Sequence, residues 1–174
     1  YQISQYQKPL CYSGYLDIKT GNNEQRTKKV RITRIHLEED AGRLYHPPGG
    51  DYSLVDFNRA GVPLMELVTE PDIESGEEVR RFAEELQLIF RYLGVSDADM
   101  EKGQMRVEAN VSVAPIGQEE LGTKVELKNI NSFRFMVVAT EYEIARQIKA
   151  HEAGKNLHQE TRGWNEAKKE TYLQ

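Results

Sequence analysis

The spacing of apolar residues switches between two and about three and a half along this chain, and that switching constrains the fold more than any other feature. Period-two alternation turns successive side chains to opposite sides of a strand. The strand candidates are "GYLDI" (14–18), "KVRITRIHLE" (29–38), "DYSLVDF" (51–57), "PLMELVTE" (63–70), where the alternation is less clean, "QMRVEANVSVAP" (104–115) and "TKVELKNI" (123–130). "HQETRGW" and "KETYLQ" suggest a closing hairpin. Two stretches carry helical spacing. In the first, Ser75 and Glu78 form a capping box, Val79, Phe82, Leu86, Ile89, Phe90 and Leu93 recur on one side, and Gly94 ends the run. The second spans about 132–153, with Phe133, Met136, Val137, Thr140, Ile144 and Ile148 as its apolar stripe and Gly154 behind it. "TGNNEQRTKK" (20–29) and "HPPGGD" (46–51) read as turns. Strands, a helix, two strands, a helix and more strand predict an α+β fold, with a mainly antiparallel sheet and both helices on one face.

A chain of 174 residues holds about one domain's worth of core, and residues 1–174 are expected to form a single domain. Both ends read as strand, so the chain is expected to be part of a longer protein. No apolar run approaches the roughly 18 residues that span a bilayer. Cys11 is the only cysteine, which excludes a disulfide framework and a cysteine-based zinc site within the chain. The net charge of −5 argues against a broad phosphate footprint for nucleic acid. A local site that handles one nucleic-acid end stays open.

Alternation also sorts the chemistry. In "MRVEANVSV", Met105, Val107, Ala109, Val111 and Val113 share one face, while Arg106, Glu108, Asn110 and Ser112 share the other. In "KVELKN", Val125 and Leu127 oppose Lys124, Glu126 and Lys128. If the helices cover the apolar face, the far face mixes carboxylates with bases. Such a face is either a solvated sheet surface with weak cross-strand ion pairs or a platform for a metal–phosphate substrate. Mg²⁺ takes one or two carboxylates, with water and phosphate oxygens completing its shell, and the phosphates need Arg or Lys beside them. Glu66 interrupts the apolar run "VPLMELV", and Glu38, Glu39 and Asp40 close a strand. That acidic triplet is either a solvated strand end or a source of ligands. Other chemistries lack their residues: there is no GxxxxGK[ST] loop, no GxGxxG and no Gly-x-Ser-x-Gly elbow. Nothing near Cys11 would activate it. The four histidines show no metal-ligand spacing, and His36 reads as structural.

Several long stretches carry a resemblance. "YQISQY", "HLEEDAGR", "SLVDFNRAGVPLMELVTEPD", "YLGVSDADMEKGQMRVEANVSVAPIGQEELGTKVELKNINSF" and "QETRGWNEAK" together resemble the B-subunit family of the aspartyl/glutamyl-tRNA amidotransferases, in order and over the full chain. The resemblance implies a cradle-shaped catalytic domain similar to glutamine synthetase, of which this chain is part. It implies ATP- and Mg²⁺-dependent phosphorylation of the side-chain carboxylate of misacylated Asp-tRNA(Asn) or Glu-tRNA(Gln). Ammonia released from glutamine by an amidase A subunit then attacks the acyl phosphate, and a small C subunit holds the two larger subunits together. A cytoplasmic or organelle-matrix location follows, with no membrane. Within the motifs, the family's metal-binding carboxylates match Glu39 and Glu66, which are also the expected catalytic residues. Glu108 stands where the family often has Asp, one methylene longer. Arg106, Lys124 and Lys128 are expected to bind phosphate, on the face argument. Nothing here matches the family's N-terminal segment with a further Glu and His, or its later tRNA-gripping domains, so misacylated tRNA is expected to be held mostly elsewhere. Two other readings stand beside this one. One is another acyl-phosphate-forming ligase acting on a free amino acid. The other is a non-catalytic module that binds partner subunits.

Overall fold

The computed structural model describes residues 3–21, 26–118 and 120–174. The element order is β1 (Cys11–Thr20), β2 (Arg26–Glu39), β3 (Arg43–Tyr45), β4 (Leu54–Asp56), β5 (Pro63–Thr69), α1 (Gly76–Tyr92), β6 (Ala109–Val111), β7 (Val125–Leu127), α2 (Phe133–Glu152), β8 (Glu160–Asn165) and β9 (Glu170–Leu173). The fold is α+β with mostly antiparallel sheets. The chain divides into two compact units, residues 1–17 with 28–72 and residues 18–27 with 73–174. Part of the turn expected at 20–29 lies outside the described residues.

The first unit is built on a three-stranded sheet ordered β1-β2-β5. β2 and β5 run antiparallel, and a register shift falls between Ile32 and Arg34. Thr33, at the shift, donates its hydroxyl to Glu70 (2.7 Å). The separate β3–β4 ladder pairs Arg43 with Asp56 and Tyr45 with Leu54. The sequence shows "DYSLVDF" as one strand, but only Leu54–Asp56 pair, and the β3 partner is too short for alternation to reveal it. The second unit holds a four-stranded sheet, β6-β7-β8-β9. β7 and β8 are parallel neighbours and the other pairs antiparallel. Parallel neighbours need a crossover connection, and α2 is that connection.

The helices begin as the sequence predicts. The Ser75 hydroxyl accepts from Glu78 N–H (3.3 Å), and Glu78 reaches back to Glu74 N–H (2.8 Å). Ser132 caps α2 by accepting from Phe135 N–H (3.3 Å). Gly94 and Gly154 follow the helices with φ of 66° and 65°, the left-handed conformation that a glycine adopts without a Cβ penalty.

Packing follows the alternation where strands are concerned. Ala109, Val111, Val125 and Leu127 are buried, and Val107 packs partly buried against their cluster. Each fully buried aliphatic side chain contributes about 1.5–3 kcal/mol. Met136 and Ala139 of α2 close this core from above. The helices do not lie side by side on the sheet. α2 covers it, and α1 packs along α2, meeting the core through Val79. The approach is close at Gly76, where an added Cβ would stand 2.5 Å from the Val137 carbonyl oxygen.

The stripe expected on α2 holds as far as Ile144, which packs against the core, and fails at Ile148. The buried positions are Met136, Ala139, Thr140, Glu143 and Gln147, while Ile148 is exposed. Glu143 is fully buried because its charge is met there. Arg146 donates to both of its oxygens (2.8 and 2.9 Å), and Gln147 and Thr171 donate at 2.9 and 3.2 Å. Gln147 in turn joins the backbone of β6 and the residues after it, through Val111 C=O and Val113 N–H. Burial of a polar group is tolerated when hydrogen bonds replace water.

Candidate functional site

The β2–β5 register brings titratable groups together in the first unit. His36 stands opposite Glu66, and Glu38 opposite Leu64. Directly opposed residues share a face, as do residues two apart on one strand. His36, Glu38 and Glu66 therefore project to the same side. His36 Nε2 lies 3.0 Å from Glu38 Oε1 and 3.5 Å from Glu66 Oε2. One donor atom from each of the three residues falls within 4.8 Å of the others.

The local shift in β2 decides this meeting. Before it, Ile32 opposes Thr69; after it, Arg34 opposes Val68. Carried on from Ile32 without the extra residue, the pairing would set Ile35 against Glu66 and His36 against Met65. One residue of slip exchanges the two faces of a strand, so the bulge aims His36 at Glu66.

The three side chains differ in exposure. His36 is fully buried, Glu38 is 18% exposed and Glu66 is 50% exposed. Among the described residues, His36 Nδ1 has no hydrogen-bond partner. The Ser4 hydroxyl donates to Glu38 Oε1 at 2.8 Å. That bond holds the Glu38 carboxyl below its usual range; burial opposes it, and His36 and Arg34 add to the depression. Glu38 therefore stays ionised at neutral pH, as a cation ligand must.

The other two members of the acidic run are placed differently. Glu39 opposes Pro63, one residue on from Glu38, so the register sets it on the face away from His36 and Glu66. Its N–H donates to Ile3 C=O (3.1 Å). Asp40 pairs with Arg59 (2.9 Å), and its N–H donates to Val62 C=O (2.8 Å), closing the turn. Glu66 is more exposed than its apolar neighbours in sequence suggest. His36, which reads as structural in the sequence, is the residue through which both carboxylates are linked. The signal that could have exposed it is the "HLE" spacing, which puts His36 and Glu38 on one face.

The second unit carries the mixed sheet face. Arg106, Glu108, Asn110 and Lys124 are exposed, and Glu126 and Lys128 half-exposed. Lys128 Nζ sits 3.4 Å from Glu126 and 3.6 Å from Glu108. Burial lowers the affinity of that amine for its proton, but the two carboxylates outweigh it and hold the ammonium above its usual range. Thr161 donates to Glu126 Oε2 (3.0 Å). Lys124, Glu126, Gln159, Glu160 and Thr161 line an open pocket of about 440 Å³. Every lining residue is polar, and the charges there are two carboxylates, Glu126 and Glu160, and the one ammonium of Lys124. On the same face Tyr172 lies across Gly163, its β8–β9 partner, so closely that a Cβ there would meet the ring at 2.6 Å.

Three relatives show what the chain is similar to. All three are B subunits of aspartyl/glutamyl-tRNA(Asn/Gln) amidotransferases. The chain is 57% identical over 165 residues to the one from Thermodesulfovibrio yellowstonii, covering 95% of this chain and 34% of that protein. It is 55% identical over 168 residues to the one from Caldicellulosiruptor saccharolyticus, covering 97% and 34%. With that of Roseiflexus sp. the identity is 53% over 174 residues, covering 100% and 35%. The chain thus spans about a third of the length of these relatives. The family described as the GatB/GatE catalytic domain matches residues 1–174. No helix among the described residues is long and apolar enough to cross a membrane. A match over every residue, with relatives identical at more than half of the aligned positions, shows that the chain belongs to the GatB/GatE catalytic domain family.

Proposed function

We propose that this chain forms part of the B subunit of a tRNA-dependent amidotransferase, an ATP-dependent carbon–nitrogen ligase. It would contribute to phosphorylation of the side-chain carboxylate of Asp-tRNA(Asn) or Glu-tRNA(Gln). An amidase A subunit would supply ammonia, and a small C subunit would complete the complex. The family match over residues 1–174 carries this reading. A cradle like that of glutamine synthetase belongs to the same proposal.

The residues fit a divalent cation. Glu38 and Glu66 provide the one or two carboxylates that Mg²⁺ typically takes from a protein, Mn²⁺ accepts the same oxygen ligands, and His36 Nε2 is a third donor within reach. Bound there, the cation would neutralise the charge that builds on ATP phosphate oxygens during transfer. Without it, a proton on His36 Nε2 satisfies Glu38; ligation at Nε2 requires that proton at Nδ1 instead. Glu39, which the register sets on the other face of β2, and Glu108, in the second unit, are proposed as ligands on their motifs alone and not as members of this cluster. Lys124, Lys128 and Arg106 are proposed to bind phosphate. The Lys128 ammonium is held between Glu108 and Glu126, so a phosphate would reach it by taking the place of one of these carboxylates.

The test is Glu66→Gln in the complete subunit with its partners. This change keeps the shape and removes the charge. We expect tRNA-dependent phosphorylation to fall at least about tenfold, roughly 1.4 kcal/mol in the barrier, with glutamine hydrolysis much less affected. Near-normal phosphorylation at limiting Mg²⁺ would overturn the assignment of Glu66.

A further inference from the structure

The segment Ile3–Tyr6 lies against the end of β2, at residues 37–39, on the side away from β5 where β1 also pairs. Ser4 bridges Glu38 in antiparallel fashion. Gln5 N–H donates to Leu37 C=O (2.9 Å), Glu39 N–H donates to Ile3 C=O (3.1 Å), and Leu37 N–H donates to the Gln5 side chain (3.1 Å). These bonds fix the segment against the strand that carries His36 and Glu38.

Opposed residues share a face, so Ser4 faces the same way as Glu38. Its hydroxyl is oriented from both sides: it accepts from Tyr6 N–H (3.2 Å) and donates to Glu38 Oε1 (2.8 Å). The same Oε1 meets His36 Nε2. Once Nε2 turns to a cation, its bond to Oε1 is given up, and the Ser4 bond is the one that still holds this oxygen of the carboxylate. The Tyr6 ring meets His36 edge-on, with centroids 5.8 Å apart and planes at 87°, and the Arg34 guanidinium lies over that ring at 4.4 Å. The imidazole is thereby wedged at a set angle, although its Nδ1 makes no hydrogen bond with the described residues.

We propose that Ile3–Tyr6 positions the cation-binding groups, with Ser4 setting the Glu38 carboxylate and Tyr6 setting the His36 ring. The inference rests on the reading of His36, Glu38 and Glu66 as a cation site. Groups that orient metal ligands from behind change metal affinity about 10–100-fold when removed.

The test is Mn²⁺ binding to the full-length subunit, followed by the electron paramagnetic resonance signal of the free ion, with thermal unfolding of the metal-free protein alongside. Glu66→Gln identifies the site by abolishing its share of binding. Ser4→Ala is expected to weaken that share about tenfold while moving the unfolding midpoint little, because Ser4 is exposed. Ser4→Thr, which keeps the hydroxyl, should restore the affinity. Tyr6→Phe should bind as the unaltered protein does, and Tyr6→Leu should bind more weakly. If Glu66→Gln abolishes binding while Ser4→Ala and Tyr6→Leu leave it unchanged, the positioning role is overturned and the cation site stands. If Glu66→Gln leaves binding unchanged, the site assignment falls and the positioning role with it.

Discussion

Replacing Glu143 by Leu should destabilise the second unit severely. The carboxylate is fully buried on α2 and receives bonds from Arg146, Gln147 and Thr171, with Arg162 Nε 3.7 Å away. Removing one partner of a buried ion pair costs about 3–5 kcal/mol, because the charge left behind is uncompensated. Two features place this case at the lower end. Arg146 and Arg162 both keep Glu160, at 3.0 and 2.8 Å, and they are 26% and 15% exposed, so water reaches each. Gln147 also keeps its bonds to the backbone at Val111 and Val113. We therefore expect a loss of about 3 kcal/mol, which lowers the unfolding midpoint of a domain of this size by on the order of 10 °C. Calorimetry and urea unfolding followed by circular dichroism both read this loss. Adding Arg146→Met should recover part of it, since an apolar replacement of both partners avoids the stranded charge. A Glu143→Leu protein with an unchanged or higher midpoint would refute the reasoning. It would mean that leucine burial outweighs the whole network.

Gly76→Ala should cost about 1–3 kcal/mol in urea unfolding, as overpacking does, because the new Cβ would meet the Val137 backbone and not a movable side chain; unchanged stability would show that the helices can separate freely there. Asp72 gives a pH prediction. Its carboxyl is held at about 2, against an ordinary 3.8, by the Arg31 side chain first and the Arg31 N–H second, with burial opposing. A depressed folded-state pKa contributes stability that is present above the unfolded value and lost as pH falls from about 4 towards 2. Exposure of Arg31 screens the pair and keeps the contribution small. The unfolding midpoint of Asp72→Asn should therefore drop less steeply through that acid window than that of the unaltered chain, and parallel acid limbs would count against the pair.

Local physics made much of the fold legible. Capping at Ser75 and Ser132 needs only neighbouring residues, and glycine at 94 and 154 meets a purely local backbone demand. The buried side of β6 and β7 follows from alternation, because consecutive side chains on a strand cannot share a face. The stretches quoted for the family resemblance likewise needed no coordinates. The candidate site was legible only in part. Glu66 stands out as a charge in an apolar run, but its partners depend on register. Register between β2 and β5 depends on one extra residue at Thr33, and no local pattern announces it. Likewise, the apolar spacing of α2 does not single out Glu143 or Gln147. Glu143 is buried because Arg146, Arg162 and Thr171 reach it, two of these from strands β8 and β9 that follow the helix, and Gln147 because Glu143 and the backbone at Val111 and Val113 meet its amide. Local spacing dictates which way a side chain points relative to its neighbours. Only tertiary structure decides what it meets, because pairing partners distant in sequence set both the register and the compensation of buried charge.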